Sequence, residues 1–394
     1  MNDHAAYQPP PDRRWLKFVL LGGALFVMLI GFPLAWVFGE YYRLEQRLAL
    51  VAEIDALGGT ANARIPNVDF GPPSLPQRLA FQIFGERYLW DILSVELPAG
   101  DVSAVFPSLD QRPYLYMLCL HESSLSDTDI EVIASLQLRH LTLNGTRLTP
   151  KQFQRLGTIS TLESLELSGA AASDAHLRQL PSFTQLPFLW LKGIDLSPES
   201  LKPLAGNPNL EVLVIESSSF DTDEAFEPIT KLHQLRQLNL NNTPIDESML
   251  EMVSQMNGLR GFSCSHWGET PLFECTATDV AKLRSLGTLR RLNLIAFALN
   301  DETLRGLGQI TQLESLGIDG SQVTEKGLLH LRGLEQLKEI TLFGAQLSDE
   351  KMRRLEEMPA LQWLSIGGNK QKFRSEHFDL FHTDADNLEE DEAP

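Results

Sequence analysis

The sequence predicts an α/β solenoid behind an N-terminal transmembrane helix, with a parallel sheet on the concave side and short helices on the convex side. Three observations carry this. A unit of 24 residues recurs from Ile92 to about Ile366, and a fixed period of that size marks stacked repeats. Within each unit the apolar spacing changes from two residues to three or four, as in a strand followed by a helix. Ahead of the repeats, Phe18 to Gly39 contains no charged residue.

Residues 1–17 form a polar N-terminal tail that ends in Arg13, Arg14 and Lys17. Residues 18–39, FVLLGGALFVMLIGFPLAWVFG, would span roughly 30 Å as a helix, the hydrocarbon thickness of a bilayer. No small-x-small cleavage site clearly follows, so the span reads as a retained anchor in the lipid bilayer rather than a signal peptide. Three basic residues precede it and two, Arg43 and Arg47, follow it. That asymmetry favours an internal N-terminus and an extracytoplasmic repeat domain at the cell membrane. The inverted topology, a cytoplasmic membrane-tethered scaffold, is the alternative. Residues 40–57, EYYRLEQRLALVAEIDAL, lack Pro and Gly, and Tyr41, Leu44, Leu48, Val51 and Ile54 recur at helical spacing. Gly58 and Gly59 stop this juxtamembrane helix. It either packs on the next domain or forms a homodimer as a short coiled coil, for which two heptads are few. Residues 58–91, with PPSLPQRLAFQIFGERYLW, read as an N-terminal cap.

The repeat domain occupies residues 92–366. Clean copies begin at Leu138, Leu162, Leu186, Leu210, Leu235, Leu259, Leu289, Leu313, Leu337 and Leu361, with looser ones at Ile92 and Leu115. In the copy LESLGIDGSQVTEKGLLHL, Leu313, Leu316 and Ile318 anchor a strand and Val323 turns the chain inward. Thr324 can then cap a helix by accepting a backbone N–H bond. Thr149, Ser173, Ser197, Asn300 and Ser348 hold the same cap position. Leu328, Leu331 and Leu334 give that helix an apolar face, which only neighbouring units can bury, at about 4.8 Å per strand. Residues 367–383, with Phe373, Phe378, Leu380 and Phe381, close the C-terminal end. Residues 384–394, DADNLEEDEAP, read as a solvated, disordered acidic tail.

The L-x-x-L-x-L core followed by a small residue resembles the leucine-rich repeat. The 24-residue length and the T/S-D/E-x-x-L helix start are similar to repeats of bacterial surface and effector proteins and of F-box ubiquitin-ligase receptors. The order of anchor, helix, Pro-rich patch and repeats resembles bacterial membrane-anchored leucine-rich-repeat proteins. The resemblance implies a curved solenoid that binds other macromolecules. One departure stands out: the usual asparagine-ladder position holds Thr146, Ala170, Ser218, Thr243, Ser321 and Ala345, with Asn369 only in the last copy. The turns must be hydrogen-bonded in another way.

The net charge of −19 disfavours nucleic acid as a partner. Three cysteines in 394 residues exclude a disulfide framework. No G-x-S-x-G, H-E-x-x-H, phosphate loop or G-x-G-x-x-G occurs, so no catalytic residue, cofactor or enzyme activity is assigned. His121 and His140 fall on the open strand face near Glu166. A metal site needs three or four converging ligands, and these residues read as solvated surface.

Another protein is the expected partner. In LPFLWLK, Leu186 to Lys192, the inward leucines alternate with Phe188 and Trp190. Most copies carry small polar residues at those outward positions, whereas two adjacent copies carry Phe188, Trp190, Val212 and Val214, flanked by Lys192 and Glu216. These should form one contiguous patch of about a few hundred Å², a partner-binding site with aromatic anchors. The rival reading is that the aromatics pack flat on the sheet. Phe343 and Trp363, near the C-terminal end, fit a capping role. The one 30-residue copy inserts SHWGETPLFE between Cys264 and Cys275. Both cysteines should face the core, either as a disulfide bracing the loop or as two thiols, and Trp267 at the loop tip is a further contact residue. The sequence thus reads as a membrane-anchored, non-enzymatic protein-binding module. An adaptor that recruits an enzyme, like a ubiquitin-ligase receptor, is the alternative.

Overall fold

The computed structural model describes residues 32–64 and 91–372, apart from 111, 113, 221, 267–272, 275, 296, 346–347 and 367–368. One 14-stranded sheet runs the length of the molecule. Its strands are β1 (Thr60–Arg64), β2 (Asp91–Leu97), β3 (Met117–His121), β4 (His140–Asn144), β5 (Ser164–Ser168), β6 (Phe188–Lys192) and β7 (Val212–Glu216). They continue as β8 (Gln237–Asn241), β9 (Gly261–Ser265), β10 (Arg291–Leu294), β11 (Ser315–Asp319), β12 (Glu339–Phe343), β13 (Trp363–Ile366) and β14 (Asn369–Lys372). The first and last pairings are antiparallel and every other one is parallel. Each strand pairs with its sequence neighbour, so the chain is a sequential stack of like units, not a doubly wound sheet.

The unit follows from its side chains. In β4, Leu141 and Leu143 point inward with 1% and 0% exposure, while His140, Thr142 and Asn144 face out. Leu138, fully buried, fills the core ahead of the strand. After the strand the backbone turns through a left-handed residue: Glu122, Gly145, Gly169, Gly193, Ser217, Asn242 and Gly344 all have positive φ. That turn aims an N–H at the next unit. Gly145 N donates to Ser168 O at 3.0 Å, Gly193 N to Glu216 O at 2.9 Å and Ser217 N to Asn241 O at 2.8 Å.

Buried hydroxyls replace the missing asparagines. Thr146 Oγ1 donates to Leu120 O at 3.1 Å, and Ser218 Oγ donates to Glu216 O at 2.9 Å while accepting from Ile194 N at 3.1 Å. Thr243 Oγ1 lies 3.0 Å from Asn241 O and 3.3 Å from Ile215 O, and accepts from Ser218 N at 3.4 Å. Thr146 and Thr243 are completely buried. A hydroxyl can donate once and accept, which suffices to keep these buried turn groups paired.

On the opposite side lie short helices. Thr149, Ser197, Asn300, Thr324 and Ser348 each accept a backbone N–H from the first helical turn, as the cap positions predict. Ser173 does not: its hydroxyl lies 2.7 Å from His176 Nδ1. The His176 ring reaches the previous unit, with Nε2 2.8 Å from Leu148 O, so this hydroxyl braces two units instead of capping one helix. Phe153, Phe226 and Phe297 thicken the leucine core and are fully buried. After the 30-residue copy the chain regains register through a short parallel pair, Phe273–Glu274 with Phe297–Ala298.

The N-terminal end is closed by helix α1 (Phe32–Ala56) and β1. The sequence reading started a juxtamembrane helix at residue 40; α1 runs unbroken from Phe32. Its packing face also differs. Leu50 and Ile54 are buried, Val51 packs beside them, but Leu48 and Tyr41 are 49% and 47% exposed. Only the last turns of α1 reach the core, and residues a turn earlier are exposed. Gly58, with φ +80°, ends the helix, and Gly59 N donates to Ile54 O at 3.0 Å. Residues 18–31 of the anchor segment, most of the N-terminal cap, Phe373 to Phe381 and the acidic tail lie outside the described residues. Among the described residues, no helix is long and apolar enough to cross a membrane.

Candidate functional site

The open strand face carries three rows of side chains, one from each outward position. Its N-terminal part is a polar chain across four strands. His121 Nε2 lies 2.9 Å from Glu96 Oε1, Asn144 Nδ2 lies 3.3 Å from His121 Nδ1, and Ser168 Oγ donates to Asn144 Oδ1 at 2.6 Å. If the Asn144 amide donates to Nδ1, the imidazole proton sits on Nε2 and points at Glu96, so a neutral ring satisfies both contacts. Among the described residues, no three His, Cys, Asp or Glu side chains converge as metal ligands would.

The aromatic patch follows. Parallel pairing places Phe188 beside Val212 and Trp190 beside Val214. Ser164 and Glu166 border it on one side, Gln237 and Asn239 on the other. Register therefore assembles the four apolar residues as one patch. Its exposure is lower than the alternation suggests. Phe188, Trp190 and Val212 are half-buried, and Val214 is buried at 5% exposure. All four keep their outward positions, but Val214 is covered by its neighbours: about 4.8 Å between strands leaves a valine little room beside a tryptophan. Lys192 and Glu216 pair at 3.0 Å at the patch edge, and the Lys192 ammonium sits 6.0 Å from the Trp190 ring centroid. The indole N–H of Trp190 is buried and has no hydrogen-bond partner. An unpaired buried donor costs about 1–3 kcal/mol.

Glu166, which abuts Trp190, was not singled out as a site residue from sequence. Burial pushes its carboxyl above the usual range; Lys192 opposes the shift and Glu216 adds to it. A carboxyl whose folded-state pKa is raised contributes stability below the unfolded-state value and loses it as pH rises through the folded-state value. Glu166→Gln should therefore be more stable than wild type at neutral pH, and the difference should shrink as pH falls through the carboxylate range. Denaturant midpoints measured across that range check this; a constant difference would mean Glu166 is not desolvated. Neighbouring Cys119 is also shifted upward, mainly by burial.

The C-terminal third carries a cleft of about 480 Å³, lined by Arg260, Arg290, Arg291, Glu314, Lys338 and Trp363 among others. Sequence reasoning missed it because the chain as a whole is acidic. A signal was available: Arg260, Arg290, Glu314 and Lys338 enter successive strands, each N–H donating to the carbonyl of the previous one. Trp363, assigned to capping, is 38% exposed and faces this cleft. Cys264 is fully buried in β9, whereas Cys275 and Trp267 lie outside the described residues.

No protein-family profile matches the chain, and no curated protein matches it. Among solved structures it is similar to an internalin, inlF, from Listeria monocytogenes str. 4b F2365, at 17% identity and a TM-score of 0.44, covering 71% of this chain and 88% of that one. It is also similar to TLR13 in a TLR13–ssRNA13 complex, at 18% identity and a TM-score of 0.46, covering 66% of this chain but only 40% of that one. A third likeness is internalin C2 from the same Listeria strain, at 17% identity and a TM-score of 0.32, over 61% of this chain and 84% of that one. The L-x-x-L-x-L units, their 24-residue period and the in-register parallel strands give the chain the fold of a leucine-rich-repeat solenoid.

Proposed function

We propose that the chain is a membrane-anchored, non-enzymatic module that binds another protein on its open strand face, with Phe188 and Trp190 as anchors. The single observation that carries this reading is the aromatic pair itself: two large, half-buried side chains beside two valines, bordered by polar residues of the adjoining strands, with an indole N–H left unpaired. A partner carbonyl reaching that N–H after a small shift of the ring would remove the cost. Aromatic residues ringed by charged ones are the usual make-up of an interface hot spot. Lys192 and Glu216 supply the ring, and Trp267 stands as a second contact on the inserted loop.

The anchor is residues 18–39, whose length and lack of charge suit a bilayer. In support, α1 includes the end of this segment and runs on beyond it, with Phe38, Tyr41 and Tyr42 exposed at 70%, 47% and 61%. Aromatic side chains of that kind gather at the membrane–water interface. The excess of basic residues before the segment favours a repeat domain outside the cytoplasm; in the inverted topology the same face serves a cytoplasmic scaffold or adaptor.

Affinity capture with the detergent-solubilised full chain tests the binding face, with Phe188→Ala/Trp190→Ala alongside and circular dichroism confirming the fold of both. The expected result is a partner retained by wild type and weakened at least about a hundredfold by the double substitution, as two hot-spot truncations of about 2 kcal/mol each would give. Equal capture by both proteins would assign the pair to surface packing.

A further inference from the structure

The cleft at the C-terminal third is lined by four cationic side chains and the Trp363 ring. It concentrates positive charge on a protein whose net charge is −19. Lys338 Nζ lies 3.0 Å and Arg290 Nε 3.8 Å from the Glu314 carboxylate, which holds that carboxyl below its usual range through the Lys338 contact first. Those two cations are thus answered by one anion. Of the other two, Arg260 and Arg291 make no salt bridge among the described residues, although Arg291 also acts on Glu314 at longer range and Glu339 lines the same cleft; Arg291 hydrogen-bonds Gln237 Oε1 at 3.2 Å. That contact crosses β9 at Gly261, where a Cβ would come within 3.7 Å of the Arg291 Nε. Arg291 is exposed there, with its remaining donors open to the cleft. Trp363 supplies an exposed aromatic wall at the far side.

The chain itself carries the complementary segment. Residues 384–394, DADNLEEDEAP, hold six carboxylates, no cation and a single leucine. The last described strand brings the chain to the cleft: Lys372 of β14 pairs with Trp363 of β13. From Lys372 to Asp384 is 12 residues, a reach of up to about 40 Å when extended. The cleft crosses from β13 back to β9, four strand spacings or roughly 19 Å. Reach and charge both fit.

We propose that residues 384–394 dock in this cleft, carboxylates on Arg260 and Arg291 and Leu388 against Trp363, and that the cleft is a binding surface for extended acidic peptide. The test compares the full chain with one lacking residues 384–394, titrated with a fluorescent synthetic peptide of that sequence. The shortened chain should bind the peptide, and binding should weaken at least about tenfold between ionic strengths of about 0.02 M and 0.5 M, since exposed charges are then screened. The full chain should bind it at least about tenfold more weakly, because its own segment competes at high effective concentration. Arg260→Gln/Arg291→Gln in the shortened chain should abolish binding while leaving the circular dichroism spectrum unchanged. Carbodiimide treatment of the full wild-type chain should join Lys338 to an acidic residue of 384–394, a readout that needs no substitution. No binding to the shortened chain, equal binding to both chains, or tighter binding of a single-stranded oligonucleotide than of the peptide would each overturn the proposal.

Discussion

Gly308→Ala will destabilise the protein by about 3 kcal/mol, at the upper end of what overpacking costs. Gly308 ends the helix Asp301–Leu307, and its backbone presses on the next unit. A Cβ there would land inside the van der Waals envelope of the His330 carbonyl oxygen, which belongs to backbone and has no rotamer to yield. The same device recurs at Gly258, where a Cβ would meet His233 O at 2.7 Å. Gly308 has a negative, helical φ, so conformational strain is not the reason; distance is. In a stack of repeats stability is a sum of unit and neighbour terms. The substitution should therefore separate the unit that holds His330 from the one before it. Chemical denaturation should change from one transition to two, and limited proteolysis should cut near residue 308 before it cuts β2 to β8. A single transition with an unchanged midpoint would show that the neighbouring turn can move aside at no cost.

Thr243→Val will cost about 2 kcal/mol, although the two side chains have nearly the same shape. Valine keeps the packing and removes the hydroxyl. Ser218 N–H then loses its acceptor and the Ile215 and Asn241 carbonyls lose a donor around a fully buried hydroxyl, although Asn241 O keeps the Ser217 N–H at 2.8 Å. Unsatisfied buried groups carry a penalty of about 1–3 kcal/mol. Thr243→Ser keeps the hydroxyl and gives up one methyl, about 1 kcal/mol. Thermal or urea unfolding of the three proteins orders them: wild type, then Ser, then Val. If the valine variant proved more stable than the serine variant, packing rather than hydrogen bonding would hold the turns together.

Much of this was legible in the sequence. The period, the inward leucines and the caps at Thr149, Ser197, Asn300, Thr324 and Ser348 are local features, set by alternation along a strand and by the first turn of a helix, which depend on near neighbours alone. The position of Phe188, Trp190, Val212 and Val214 on one face was legible for the same reason, since side chains in a strand alternate with period two and copies stack in register.

What the sequence left open depends on distances between units. Alternation could say that Val214 faces outward, but not that its neighbours bury it. It could say that the asparagine ladder is absent, but not that Ser218 and Thr243 pair through a shared hydroxyl, because those partners are 25 residues apart. The helix α1 has an apolar stripe in sequence, yet only Leu50 and Ile54 are buried in the core, since which turns have something to touch depends on where the helix meets the repeats. The basic cleft was hidden because total charge is a sum over the chain, whereas Arg260, Arg290, Arg291 and Lys338 are brought together only by parallel stacking. The sequence by itself determined the repeating unit and the face each side chain takes, because both follow from the geometry of a single strand and turn. Tertiary structure alone decided exposure, pairing and local charge, because these are properties of the space between units about 4.8 Å apart.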